Sequence, residues 1–302
     1  MSTRTRIEPF WGAILIFLGA ILFSTKAIMV KLAYEYEVEA TVLLTLRMLF
    51  SVPFYLIIGL TAKQTTGLSR IKGRDYLLIA VVGLLGHYIA SLADFIGLQY
   101  VTASIERLVL YVYPTIVLLM SWIFLKKKIS RIQWLALVIA YIGIAVVLGG
   151  DVSVEDQSDL WMGVFWVFMA ALFYSAYLVG SGELVVKFGT RRFTAFSMLS
   201  AAIGVFIHSF IQIGGQWPDL HPAVYGYGLL MAVVATVIPS FMIQEGIRRV
   251  GANSAGIIGS IGPVSTIILA YIFLGERMTE IQILGTAIVM GGILLITLNK
   301  NK

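Results

Sequence analysis

The sequence contains no cysteine, and its 302 residues include only three histidines and seven prolines. Without thiols there is no disulfide framework, no thiolate metal site and no cysteine nucleophile. Charge is scarce as well. Asp, Glu, Lys and Arg make up 13% of the chain against 59% hydrophobic residues, where a soluble domain carries about a quarter charged. No His-Glu-x-x-His zinc motif and no glycine-rich nucleotide loop occurs. Ser24 and Lys26 are two apart, which on a helix points them to different faces and weakens a Ser–Lys dyad. No metal and no cofactor is expected, and an enzyme is the disfavoured class.

Long apolar runs take the place of charge. Mean hydropathy is +0.92. The runs are near twenty residues, the length that crosses ~30 Å of hydrocarbon at about 1.5 Å per residue. We place spans at 10–32, 41–60, 76–97, 103–125, 131–149, 160–180, 193–213, 222–245, 252–274 and 281–298. The fold class is therefore all-α integral membrane with about ten transmembrane helices. The first run is too long for a signal peptide and reads as a retained span. Connections are short and leave no room for a soluble domain. The net charge of +6 suggests nucleic acid in a soluble protein. In a membrane protein the location of the charges matters more, and no nucleic-acid partner is expected.

Alternating the segments between two sides separates the charges. With the N-terminus inside, Arg4, Arg6, Lys63, Arg70, Lys72, Arg74, Lys126, Lys127, Lys128, Arg131, Lys187, Arg191, Arg192, Arg248, Arg249, Lys300 and Lys302 all fall inside. The other side holds Glu35, Glu37, Glu39, Asp151, Glu155, Asp156, Asp159, Asp219, Glu276 and Glu280, with only Lys31 and Arg277 as basic company. Basic residues favour the cytoplasmic face, so both termini are expected in the cytoplasm. One missed span would invert every later segment and destroy the pattern.

The chain also repeats. A shift of 149 positions lays 103–148 on 252–297 without a gap. Pro114 meets Pro263, Ile132-Gln133 meets Ile281-Gln282, and Gly143-Ile144 meets Gly292-Ile293. Apolar matches are cheap in membrane helices, but matched Pro, Gln and Gly in one register are not. A repeat of five spans crosses an odd number of times, so the second copy is inverted. Inverted repeats typify alternating-access transporters, with a site near the midplane between the halves. They suggest rocking rather than the fixed pore of a channel.

One stretch is more specific. Ser104-Ile105-Glu106-Arg107-Leu108-Val109-Leu110-Tyr111-Val112-Tyr113-Pro114-Thr115 is followed by Phe124-Leu125, and Gly262-Pro263 precedes Phe273-Leu274-Gly275-Glu276-Arg277. Phe23-Ser24-Thr25-Lys26 and Lys31 stand in the first span. Here the chain resembles the EamA-type branch of the drug/metabolite transporter superfamily, as two repeats over 10–150 and 160–298. The family often has a Trp in its first span that is absent here. The resemblance implies export or exchange of amino acids, related metabolites or drugs across the bacterial cytoplasmic (inner) membrane. A small-molecule substrate and the lipid bilayer are then the partners. A drug exporter of the same superfamily is the alternative; a cation exporter would want an acid in span 1, where this chain has Lys26.

Ionisable groups at membrane depth usually face a cavity or a partner. Lys26, Arg47, Asp94, Glu106 and Arg107 converge on the outer half of the protein, with His87 near the middle of span 3. Asp94 and Arg107 flank one hairpin turn and are expected to pair. Glu106 is expected to pair with Lys26 or Arg47, because neighbouring helix positions point about 100° apart and Glu106 and Arg107 cannot share a partner. His87 and His208 are expected as hydrogen-bonded core residues, and Glu245 as a partner of Arg248 or Arg249. Tyr111 and Tyr113 are packing or cavity wall. The bases Lys26, Arg47 and Arg107 outnumber the acids Asp94 and Glu106, which favours a carboxylate substrate, and a proton carried by Asp94, Glu106 or His87 is a candidate coupling ion. Pro114 and Pro263 interrupt their helices at matched positions. Gly256, Gly259 and Gly262 are expected to let span 9 bend and approach its neighbours closely, making spans 4 and 9 opposed gates.

Overall fold

The computed structural model describes residues 4–62, 71–126, 128–149, 157–259 and 261–299, and these are helical with no strand. Lys63, Arg70, Lys127, Asp151, Glu155, Asp156, Lys300 and Lys302 lie outside the described residues, as do the side-chain surroundings of Arg4, Arg6 and Gly256. Helices answer the demand of hydrocarbon, which offers no water to exposed N–H and C=O groups.

The first half comprises α1 (Arg4–Tyr34), α2 (Ala40–Thr61), α3 (Gly73–Gly83), α4 (Ala90–Tyr100), α5 (Ala103–Leu110), α6 (Tyr113–Leu125) and α7 (Arg131–Gly149). The second comprises α8 (Gln157–Phe188), α9 (Thr190–Ile213), α10 (Pro222–Ala232), α11 (Ile238–Gly259), α12 (Ile261–Leu274) and α13 (Glu280–Asn299). Eight helical stretches of the described residues are long and apolar enough to cross a membrane; Ile261–Leu274 and Glu280–Gly292 are shorter apolar helices. Spans 8 and 9 do not separate where the sequence suggests. Helix α11 continues to Gly259, yet the path still reverses: Ile243 lies beside Gly19, Val250 beside Gly12, and Gly262 beside Ser24.

The connections segregate by charge. At one end Gln212 donates to Glu39 (2.8 Å), Tyr36 stacks on His221 (4.6 Å between centroids) and Glu276 reaches the Ala103 amide (2.8 Å). We call this the acidic end. At the basic end Lys187 meets Asp75 at 3.1 Å, and Glu245 accepts from Arg248 and Arg249, each at 2.8 Å, as expected.

The two halves pack with a pseudo-two-fold relation that the contacts themselves display. A Cβ at Gly143 would sit 2.8 Å from the Gly285 carbonyl oxygen, and one at Gly292 would sit 2.8 Å from that of Ala136. The 149-residue shift turns 143 into 292 and 136 into 285, so one contact is the image of the other. Gly97 faces Gly163 as Gly246 faces Gly12. Here 97 and 246 differ by 149, and 12 and 163 by 151, because the first spans are offset by two more residues. The single π-helical turns Leu84–Ile89 and Val233–Val237 also fall at equivalent places. Small residues let membrane helices approach closely where the hydrophobic effect offers no drive. Accordingly Gly143→Val should cost about 1–3 kcal/mol by overpacking the α7–α13 seam. Gly59→Ala, whose Cβ would meet Ala195 at an ordinary 3.5 Å, should stay near wild type. Thermal unfolding in detergent micelles distinguishes the two.

Candidate functional site

Span 4 is the broken element that carries the site. Pro114 has no N–H to return to the carbonyl of Leu110, and its ring crowds that carbonyl. The helix accordingly stops at Leu110, turns at Tyr111 and Val112, and resumes at Tyr113. Hydroxyls reach the backbone beside the break: Thr115 donates to the Val112 carbonyl (2.7 Å) and Ser175 to the Tyr113 carbonyl (3.1 Å). In the other half Ser24 donates to the Gly262 carbonyl at 2.9 Å. Ser24 and Ser175 are pseudo-symmetric partners, and so are Gly262 and Tyr113. Each half's first helix therefore supplies a hydroxyl to the other half's fourth span.

Above the break, α5 is an eight-residue half-helix. Thr102 caps it, accepting from the Ile105 amide at 3.2 Å. It presents Glu106, fully buried, and Arg107, 7% exposed, on adjoining faces. Glu106 turns toward Lys26, whose Nζ lies 3.7 Å from its Oε1, and the same Nζ contacts Asp94 Oδ2. One ammonium from α1 thus stands between a carboxylate of α4 and one of α5. Arg107 turns instead to α12, where its Nε donates to Thr266 Oγ1 at 2.8 Å and Thr266 donates on to the Gly262 carbonyl at 3.2 Å. The expected Asp94–Arg107 pair is corrected: Lys26 takes Asp94, because Glu106 occupies the face of α5 that looks toward α4. The expected pairing of Glu106 with Lys26 is present.

Arg47 lies on α2 with no acid in contact. Its Nη2 donates to Ser91 at 3.0 Å and its guanidinium covers the Phe95 ring at 5.1 Å. Several buried atoms around this cluster have no hydrogen-bond partner: Arg47 Nε, Arg107 Nη2, Asp94 Oδ1 and both Glu106 oxygens. Buried polar groups nearly always find one, so unused donors and acceptors at a single place are chemically conspicuous. His87 and His208 do not bond as expected. His87 stands edge-on to Tyr177 (4.6 Å) and His208 tilts against Tyr88 (5.9 Å), while His87 Nε2 and His208 Nδ1 lack partners.

Below the break the wall is aromatic. Tyr111 meets Tyr113 (5.7 Å), Tyr113 meets Tyr174 (5.2 Å), and Tyr174 stacks on Tyr177 (5.8 Å). The Tyr111 hydroxyl reaches the Gly259 carbonyl at 3.3 Å. Span 9 thus meets span 4 through the Gly259 carbonyl as well as through Thr266. A Cβ at Gly259 would touch nothing within 4 Å and one at Gly262 only Ser24 Oγ at 3.8 Å, so close approach is not what these glycines serve here. Pro263 is buried in the first turn of α12. Thr266, Ser91, Ser24 and Ser175 escape a search for charge and proline; the two-residue change of offset hides the Ser24–Ser175 pairing.

A cleft of about 700 Å³ opens at the acidic end, lined by Lys31, Glu35, Glu39, Gln99, Thr102 and Glu276 among others. The cluster residues do not line it. Among the described residues no group of three or more His, Cys, Asp or Glu is placed to hold a metal ion.

An all-helical, multi-pass membrane protein with two inverted repeats and a broken, charged fourth span is the class so defined. The EamA-like transporter family model matches residues 10–149 and again 161–298, and the chain belongs to that family. An uncharacterized transporter of Bacillus subtilis (strain 168), YcbK, is 34% identical over 283 residues, spanning 92% of this chain and 90% of that one. An uncharacterized transporter of Synechocystis sp. is 23% identical over 312 residues, spanning 96% and 94%. A solved crystal structure aligns with a TM-score of 0.63 at 18% identity over 95% of this chain and 98% of that chain; it shows the fold.

The charged cluster sets up a stability test. Lys26→Met would leave Asp94 and Glu106 buried without their ammonium, at a cost of about 3–5 kcal/mol. The double variant Lys26→Met with Asp94→Asn should recover part of that loss. Thermal unfolding of the purified protein measures both.

Proposed function

We propose that the protein is a secondary transporter of small carboxylate-bearing metabolites, amino acids among them. Its two halves, 10–150 and 160–298, rock against each other around the charged cluster. The observation that carries this reading is the pair of buried guanidinium groups with unused donors. Arg47 Nε and Arg107 Nη2 have no partner, and a planar guanidinium fork matches a carboxylate. With Lys26, three cations face two carboxylates, so an anionic group is the better guest. Asp94 Oδ1 and the two Glu106 oxygens would receive an ammonium or a coupled proton. An amino acid offers both an ammonium and a carboxylate.

The breaks at Tyr111–Val112 and the matched Pro263 support gating by spans 4 and 9, the first toward the acidic end and the second toward the basic end. The basic end faces the cytoplasm in this reading and export is the direction of flux, since basic residues favour that face. The membrane is the bacterial cytoplasmic one, and both termini are inside.

Counterflow in proteoliposomes tests the reading, after a thermal-shift screen against amino acids and carboxylic acids supplies the substrate. Arg107→Gln and Arg47→Gln should each reduce transport at least tenfold, because a charge-assisted bond to a desolvated carboxylate is lost. Wild-type rates in both variants would overturn the anion site. If the cluster carries a proton, flux of the wild type follows an imposed pH gradient, and Glu106→Gln abolishes that dependence.

A further inference from the structure

Glu276 sits in the turn between α12 and α13, in the second half, and its amide donates to the Ala270 carbonyl of that half (3.3 Å), yet its carboxylate accepts from the first half. Its Oε1 accepts from the Ala103 amide at 2.8 Å. Its Oε2 accepts from the Ser104 amide at 3.1 Å and the Ser104 hydroxyl at 2.7 Å. One carboxylate thus engages two of the backbone donors that the start of α5 leaves without helical partners, and its negative charge suits that end of the helix. The adjoining turn is also held by α1. Lys31 Nζ donates to the carbonyls of Leu98 and Val101, both at 3.1 Å, and the Tyr34 hydroxyl donates to that of Phe95 at 2.7 Å.

We propose that Glu276 is the latch of the acidic-end gate and, through α5, the positioning residue of the charged cluster. The half-helix is eight residues long, with a turn at its far end and this carboxylate at its near end. Glu106 and Arg107 lie one turn from the latch and ride on the same rigid piece. Opening the acidic end requires Glu276 to leave α5, and α5 then carries Glu106 from Lys26 and Arg107 from Thr266. Gate release and dismantling of the site are one motion.

In sequence the position equivalent to the latch carries no carboxylate. The 149-residue shift pairs Glu276 with Lys127, and a lysine ammonium has no acceptor to offer backbone N–H groups. Nearly symmetric halves thereby acquire unequal gates, and the ligand-free protein rests with the acidic end shut.

The inference rests on α5 being the site helix, and its test needs no substrate. The chain contains no cysteine, so single cysteines report without background. Ala103→Cys places a thiol at a fully buried residue under the latch, and Ala195→Cys places one at a fully buried residue of α9. In detergent, Glu276→Ala should raise maleimide labelling of the first about tenfold. Glu276→Gln, which keeps one acceptor oxygen, should raise it less, and labelling of the Ala195→Cys control should not change. Hydrogen exchange over residues 99–110 should rise in Glu276→Ala without any reporter cysteine. Unchanged labelling and exchange near Ala103, or a matching rise at both cysteines, overturns the latch. Failure of the Arg47 and Arg107 variants to affect transport would remove the carboxylate substrate and leave these measurements untouched.

Discussion

A polypeptide in hydrocarbon must provide a partner for each of its own N–H and C=O groups. That constraint explains why this chain is helical and also where it stops being helical. Span 4 breaks at Tyr111–Val112, and hydroxyls add to the backbone bonding beside the break: Thr115 at Val112 and Ser175 at Tyr113. Its equivalent in the second half receives Ser24 at Gly262. Each half's fourth span thus takes a hydroxyl bond from the other half's first helix.

On this shared scaffold the chemistry is one-sided. The residues that correspond to Lys26, Asp94, Glu106 and Arg107 in the second half are Tyr177, Ile243, Ala255 and Gly256. All three members of the Lys26–Asp94–Glu106 cluster come from the first half, so that half assembles its own buried charge. The second half contributes aromatic surface through Tyr174 and Tyr177, a hydroxyl at Thr266 and backbone carbonyls at Gly259 and Gly262. Isolated charges at such depth are costly unless paired, and Lys26 meets that demand for two carboxylates at once. Two guanidinium groups keep donors in reserve.

Much of the fold is legible in the residues. Apolar runs near twenty, sign-sorted loops and the matched Pro114–Pro263 and Gly143–Gly292 pairs follow from hydropathy and register alone. The convergence of Lys26, Asp94 and Glu106 is legible for the same reason, since span direction gives depth. Which acid meets which base is not. Asp94 and Arg107 are near in sequence, but rotation about the α5 axis decides the pairing, and the π-helical turn at Leu84–Ile89 shifts the faces of the spans it interrupts. Neutral partners such as Ser91 and Thr266 leave no mark in a charge map. The glycines of span 9 mislead in an instructive way. They suggest close packing, while their structural use lies in the carbonyls that Ser24 and Tyr111 bond.

The exchange of hydroxyls between the halves has a consequence in time. A chain leaves the ribosome and enters the bilayer from its N-terminus. Lys26, Asp94 and Glu106 can find one another as soon as the fourth span is inserted, so the charges are neutralised early. The backbone at Tyr113 gains Ser175 later, and Ser24, which already bonds Ala20, gains Gly262, the last partner by far to be synthesised. The ion cluster is thus complete within the first half, while the contacts between the halves come last. A nascent first half already holds its Lys26–Asp94–Glu106 cluster but lacks the hydroxyls that Ser175 and Thr266 add at Tyr113 and Arg107.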